Sequence, residues 1–119
     1  MELHTLAREA AVNLLKLGQT VAVAESSTAG LVSASLLAIP GASAYYAGGS
    51  VIYTRLSRKR FLTLDPALLA GLAPLSEEMV RVFADAARTS LNAEWGIAEL
   101  GAAGPTGTPY GHPPGVSVI

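Results

Sequence analysis

Cysteine is absent from this 119-residue sequence, and charged residues are scarce. Without cysteine the chain can form no disulfide framework, no thiolate nucleophile and no zinc–thiolate site. Charged residues make up 14% of the sequence and hydrophobic residues 50%, which excludes a disordered chain and predicts a compact globule. The formal net charge of −1 gives no general attraction to nucleic acid or to an anionic membrane, so polyanion binding would require a local basic patch.

Long hydrophobic runs are also missing. No segment approaches the roughly 20 apolar residues that span a bilayer. Glu2, His4 and Arg8 interrupt the start of the chain, where a secretory signal would be basic and then continuously apolar. We therefore predict no membrane partner and a cytoplasmic location. No spacing typical of a metal site occurs, and residues 1–119 fit one domain.

The hydrophobic pattern alternates between helical and strand periods. We predict a first helix over residues 2–17, ended by Gly18, and further helices over 31–38, after the strand that ends at residue 54, and from Ser76 to about Leu91. Strands are predicted over residues 20–24, 50–54, 95–100 and 116–119. Strands that alternate with helices indicate an α/β sandwich with a largely parallel sheet. A loop rich in glycine and proline precedes the last strand, and loops of this length are usually functional or mobile.

A polar segment, Glu25 to Gly30, links the first strand to the second helix. In α/β sheets this is a ligand-binding position, because amide groups at the start of a helix favour anions. A serine there becomes a nucleophile when a base lies within hydrogen-bond reach. On this segment alone, a helix cap formed by the hydroxyl side chains is the commoner outcome.

Several passages together resemble the CinA C-terminal domain family. The family's motif Ala-Glu-Ser-(Cys/Ser)-Thr-Gly-Gly is similar to Ala24–Gly30, and its Gly-Gly-x-Val-x-Tyr-(Ser/Thr)-Asn strand is similar to Gly48–Arg55. Further matches in the same order are Pro40–Ser43, Leu75–Glu78, Leu100–Pro105 and Pro113–Gly115. The resemblance implies a three-layer α/β/α sandwich with a mixed, mostly parallel sheet over residues 1–119, without the family's last strand and helix.

Active relatives hydrolyse the carboxamide of nicotinamide mononucleotide to nicotinate mononucleotide and ammonia, a step of pyridine nucleotide salvage. The resemblance implies that Ser26 is the nucleophile, that Tyr53 orients the reacting groups and that a lysine five residues after this tyrosine is the base. It also implies a pyridine nucleotide as partner, no cofactor and a homo-oligomer, dimeric or larger. The matching substrate-binding residues are Glu25, Ser27, Thr28, Gly30, Arg55, Arg58, Gly101 and Gly104.

The sequence departs from the family at the position of the catalytic base. Arg58 stands five residues after Tyr53, and a guanidinium does not accept a proton near neutral pH. Lys59 is the candidate base if the loop absorbs a one-residue shift, because one residue turns a helical side chain by roughly 100°. The alternative is a catalytically inactive nucleotide-binding or oligomerisation module. A third reading, nucleic-acid binding, rests only on the basic residues between 55 and 60, which equally suit a solvated helix face or a phosphate site.

Four other positions carry expectations. Ala29 replaces a family glycine, which would narrow the ligand pocket. Glu99 lies in a predicted buried strand, where an unpaired carboxylate is costly, so we expect a position near a sheet edge, a basic partner or a protonated side chain. His112 is a possible proton acceptor, although an exposed loop position is the commoner outcome. Trp95 is expected to pack in the core.

Overall fold

The computed structural model describes residues 2–119. Four helices alternate with short strands: α1 Leu3–Leu17, β1 Val21–Glu25, α2 Leu31–Leu37, β2 Tyr46–Val51, α3 Arg55–Leu62, α4 Glu77–Ser90, β3 Trp95–Ala98, β4 Leu100–Gly101 and β5 Ser117–Val118. Two 3₁₀ turns lie at Ala42–Ala44 and Pro66–Leu69. Among residues 2–119, no helix combines the length and hydrophobicity that crossing a membrane requires.

The main sheet has three parallel strands in the order β2-β1-β3. β1 lies in the centre, and every one of its residues is buried. At its carboxyl end Ala24 pairs with Ala98 and Glu25 pairs with Val51. The residues that follow the three strands therefore meet at one edge of the sheet, where open α/β sheets bind ligands.

Helices cover both faces of this sheet. Successive side chains of a strand point to opposite faces, so Val21 and Val23 pack against α1 and α2, while Ala22 and Ala24 pack with Phe83 of α4. The predicted α/β fold with a mostly parallel sheet is confirmed. The small alanines and Gly96 allow α4 to approach closely, because a Cβ atom at Gly96 would collide with the backbone of Ala84.

The last predicted strand does not join the main sheet. β5 pairs antiparallel with β4, with Leu100 opposite Val118, and forms a separate two-stranded sheet. The expectation of a single mixed sheet is therefore corrected. β2 also begins at Tyr46 rather than at residue 50, because its two glycines give little strand signal. A Cβ at Gly49 would lie 2.9 Å from the carbonyl oxygen of Val23.

Trp95 is not a core residue. It opens the edge strand β3, and its side chain is 53% exposed. The indole Nε1 donates a hydrogen bond to Gln19 Oε1 at 2.7 Å, which fits a ring with one polar end. The core expectation for Trp95 is thus wrong, since the edge strand places its first side chain at the surface.

Side-chain caps fix the helices that flank the site. The Thr54 hydroxyl accepts the Ser57 amide at 3.1 Å, and Ser57 Oγ accepts the Thr54 amide at 3.0 Å, so α3 begins with a reciprocal capping box. The Ser76 hydroxyl accepts the Met79 amide at 3.2 Å at the start of α4. These caps set where α3 and α4 begin beside the carboxyl edge of the sheet.

Candidate active site

A cavity of about 370 Å³ opens at the carboxyl edge of the sheet. Ser26 and Tyr53, which follow β1 and β2, line it together with Arg55 and Arg58 of α3. Gly101 and loop residues 108–110 line it from the other side. The fold thus brings the predicted nucleophile, the predicted orienting tyrosine and two cations to one place.

Glu99 lies beneath this cavity and is completely buried. Its carboxylate accepts the backbone amides of Ser26 and Thr28 at 3.0 and 3.1 Å, and it also accepts the hydroxyl of Ser27. The Thr28 hydroxyl oxygen lies 2.9 Å from Glu99 Oε2 and 2.7 Å from Glu25 Oε1, and its single proton bonds to one of these two carboxylates at a time. Burial acts to raise the pKa of Glu99, but these hydrogen bonds outweigh it and hold the pKa below its ordinary value. Hydroxyls and amides therefore stabilise Glu99 in its ionised form. The basic partner or the bound proton that the sequence suggested does not do so.

Glu25 is the second buried carboxylate. It accepts the backbone amides of Val32 and Ser33, each at 2.9 Å, and the Thr28 hydroxyl at 2.7 Å. Burial acts to raise the pKa of Glu25, and the hydrogen bonds again lower it below the ordinary value. The amides at the start of α2, which we expected to attract a ligand anion, are thus occupied by the chain's own carboxylate.

Ser26 differs from its two hydroxyl neighbours. The side chains of Ser27 and Thr28 bond to carboxylates. Within residues 2–119 the Ser26 hydroxyl has no carboxylate partner. It is not a fully buried polar group that lacks a hydrogen bond, and the residue lines the cavity. The helix cap is Gly30, with no side-chain hydrogen bond. The capping interpretation of this serine is therefore wrong. Ser26 is only 4% exposed, so a ligand would reach its hydroxyl only from within the cavity.

Arg58 is held against the wall of the cavity. Its Nε donates to the carbonyl oxygen of Ile52 at 3.1 Å, and its guanidinium lies 5.4 Å from the centroid of the Phe83 ring. Burial lowers the pKa of Arg58, Tyr110 opposes this shift and Arg55 adds to it. An arginine nevertheless stays protonated near neutral pH. Lys59 is exposed and lines a neighbouring cavity instead of the Ser26 cavity, as expected from the rotation of one helical residue.

The long loop reaches across to α3. The Tyr110 hydroxyl accepts a hydrogen bond of 2.9 Å from Arg55, and Thr108 lines the cavity. Thr108 Oγ1 accepts the amides of Tyr110 and His112 at 3.3 and 3.1 Å, so its own proton is available to His112 Nδ1 at 2.9 Å. His112 therefore braces the loop through Thr108 and does not itself line the cavity.

The remaining predicted binding residues divide into two groups. Gly101 lines the cavity, and a Cβ there would collide with Ser27 Oγ and lie 2.8 Å from Glu99 Oε1. Glu25, Ser27, Thr28, Gly30 and Gly104 do not line it. Ala29, whose φ is +56°, does not line it either, so its side chain does not narrow the pocket. Sequence reasoning missed the loop residues Thr108 and Tyr110, which no periodic pattern connects to α3.

Known proteins share this arrangement of elements. A family model described as the CinA C-terminal domain matches residues 3–119. The chain belongs to this family. It is similar to competence damage-inducible protein A from Klebsiella pneumoniae, with a TM-score of 0.90 and 30% identity, over 98% of this chain and 73% of that chain. It is also similar to the competence/damage inducible protein CihA from Agrobacterium tumefaciens, with a TM-score of 0.85 and 30% identity, over 97% of this chain and 70% of that one.

A curated relative gives the same result. A CinA-like protein of Synechococcus sp. (strain CC9902) is 40% identical over 99 residues, which are 83% of this chain and 24% of that protein. The chain thus spans about a quarter of the length of the curated relatives it matches. The CinA family predicted from the motifs is confirmed.

Proposed function

We propose that the Ser26 cavity binds a pyridine mononucleotide, with its carboxamide towards Ser26 and its phosphate towards α3. The observation that carries this proposal is the pairing, in one cavity, of an unengaged hydroxyl with Arg55 and Arg58. Guanidinium groups suit phosphate because their donors match its oxygens in pairs. The amides of α2 do not compete for the phosphate, since Glu25 already occupies two of them.

Hydrolysis of the carboxamide is the second candidate, and the free Ser26 hydroxyl favours it. Ser26 Oγ would attack the carboxamide carbon, ammonia would leave with the transferred proton, and water would then release the acid from the acyl-enzyme. This sequence needs a group that accepts the Ser26 proton. Arg58 lies at the corresponding wall and cannot accept it, and Lys59 lines the other cavity. We therefore propose binding as the main function of this chain, with carboxamide hydrolysis negligible.

Titration of the purified chain with nicotinamide mononucleotide, followed by calorimetry and an ammonia assay, separates the two candidates. We expect saturable binding with ammonia release at the level of a protein-free control. Arg58→Lys is expected to raise ammonia release at least tenfold, because a lysine can lose its proton when it is desolvated. The matched control is Arg60→Lys, on the same helix but outside the cavity lining, which should leave the rate unchanged.

Two results would contradict this proposal. Ammonia release by the unmodified chain that disappears in Ser26→Ala would establish the hydrolase instead. Absence of binding to nicotinamide mononucleotide would reject both candidates. A pyridine nucleotide salvage role and a homo-oligomeric state stay predictions from the family resemblance.

A further inference from the structure

Arg58 also lines a second cavity, of about 360 Å³, between α3, the Pro66–Leu69 turn and α4. Arg55 lines both cavities, whereas Lys59 lines only the second. The second cavity has a hydrophobic floor made of Leu64, Leu69, Leu72, Pro74, Met79 and Phe83. Part of this floor belongs to the core, so its shape is fixed by packing that the fold already needs.

The polar lining of the second cavity is entirely cationic. Arg55, Arg58 and Lys59 line it, and none of its described lining residues is acidic. In the described part of the chain the ion pair is formed by Arg88 and Asp85, at 3.5 Å, so these three cations have no carboxylate partner there. Three positive charges beside one another repel, and an anion placed among them would relieve that repulsion.

The composition of the lining restricts the ligand. A sugar or a base needs hydrogen-bond acceptors as well as donors, and the side chains here are either apolar or cationic donors. An organic cation would be repelled. A free inorganic anion would leave the hydrophobic floor exposed to water, whereas a ligand with an apolar body would cover it.

We propose that the second cavity binds a small amphipathic anion, in which an apolar chain or ring carries one anionic head group. The apolar body lies on the leucine-rich floor, and the head group lies among Arg55, Arg58 and Lys59. Arg58 is already held by the Ile52 carbonyl and the Phe83 ring, so little side-chain freedom is lost on binding. This site shares Arg55 and Arg58 with the proposed mononucleotide site, so we expect the two ligands to compete for these guanidinium groups. Lys59 and the leucines of the floor line the second cavity alone, and a test with the amphipathic anion by itself does not require mononucleotide binding.

Octanoate, below its micellar concentration, is a suitable probe for an NMR titration of backbone amides. We expect saturable shifts with octanoate in α3, the Pro66–Leu69 turn and α4. Octylamine and inorganic phosphate should give no comparable shifts in the Pro66–Leu69 turn, because phosphate alone contacts only the cations of α3. Lys59→Gln should weaken octanoate binding about threefold, the effect of removing one partly screened charge. Arg60→Gln removes the same charge from the same helix outside the cavity lining and should change the affinity less than twofold.

Lys59 and Arg60 are both exposed, so neither substitution threatens folding. Absence of saturable octanoate binding would overturn the proposal. Equal binding of octylamine would show a purely hydrophobic site, and tighter binding of inorganic phosphate would show a simple anion site. Equal losses in Lys59→Gln and Arg60→Gln would show attraction to the whole basic helix, and any of these results rejects the inference.

Discussion

The two sides of the Ser26 cavity differ in how their charges are balanced. On the sheet side, Glu25 and Glu99 are buried and each accepts hydrogen bonds from amides and hydroxyls of residues 26–33. On the α3 side, Arg55 and Arg58 have no carboxylate partner among the described residues. The carboxylates are hydrogen-bonded within the fold, whereas the two arginines keep positive charge that the proposed ligand would neutralise.

The two buried carboxylates thus stabilise the fold, whereas the two arginines of α3 are available for binding. A buried carboxylate without hydrogen bonds would destabilise the fold by several kcal/mol, roughly the penalty for burying any unpaired ion. The polar segment after β1 supplies those bonds, and Ser26 is left out of them. The polar segment after β1 therefore mainly stabilises the turn, with Ser26 lining the cavity.

Removing a buried charge on the sheet side should give the largest change in the free energy of unfolding. Glu99→Gln leaves one acceptor oxygen, which can keep the amides of Ser26 and Thr28, but it places an NH2 group opposite the Ser27 hydroxyl and removes the negative charge that strengthens all of these bonds. We expect the free energy of unfolding to fall by about 2–4 kcal/mol, measured by urea denaturation. The control Glu9→Gln removes the same charge from an exposed position on α1, and equal effects of the two substitutions would contradict the contrast between the two sides.

The pH dependence of the free energy of unfolding also tests the sheet side of the cavity. The pKa values of Glu25 and Glu99 lie below the ordinary value of 4.5, so the unfolded chain binds their protons first. Their contribution to stability is complete above about pH 4.5 and is lost as the pH falls through the lowered pKa values of the folded state. Urea titrations between pH 7 and pH 3 should show this loss, and Glu99→Gln should make it smaller. An unchanged pH dependence in that variant would exclude Glu99 as its source.

The neighbouring serines offer a finer comparison. Ser27→Ala removes a hydrogen bond to buried Glu99 and should lower the free energy of unfolding by about 1–2 kcal/mol. Ser26→Ala removes a hydroxyl without a carboxylate partner and should change it by less than about 0.5 kcal/mol. Urea denaturation of both variants measures the difference. If Ser26→Ala is the more destabilising variant, Ser26 belongs to the structural network.

The smallest expected effect concerns the turn that connects these residues. Ala29 has φ +56°, a left-handed conformation that a side chain disfavours by roughly 1–2 kcal/mol. Ala29→Gly should relieve this strain and stabilise the fold by roughly 0.5 kcal/mol, after allowing for the greater freedom of unfolded glycine. Ala34→Gly, within α2, should instead destabilise it by about 1 kcal/mol. Thermal denaturation of both variants checks that the signs are opposite.

The sequence predicted those elements of the fold whose signals lie in neighbouring residues. Val21 to Ala24 read as a strand buried on both faces, and Ser76 as the cap of α4, because both signals lie within a few residues. Glu99 was placed in a predicted buried strand with an edge position, a basic partner or a bound proton as the alternatives, whereas its actual hydrogen-bond partners lie 71 to 73 residues earlier. Only the parallel pairing of β1 and β3 brings them together, which local patterns do not encode.

The candidate site follows the same rule. Ser26, Tyr53 and Arg58 were named from motifs, and the structure brings all three to one cavity. Tyr110 was missed because a loop rich in glycine and proline gives no period from which its direction can be read. Whether Lys59 faces Ser26 depended on the helical start, which the capping box at Thr54 fixes.

The hydrogen bond between Arg55 and Tyr110 bears on how quickly a ligand can exchange. It joins the long loop to α3 across the cavity and is exposed to water. Such a bond contributes only about 0.5–1.5 kcal/mol, so thermal fluctuation breaks it without disturbing the sheet or the buried carboxylates. For the proposed ligand, residence time in the cavity would then depend on its own contacts, and we expect its dissociation to require no unfolding of a helix or strand.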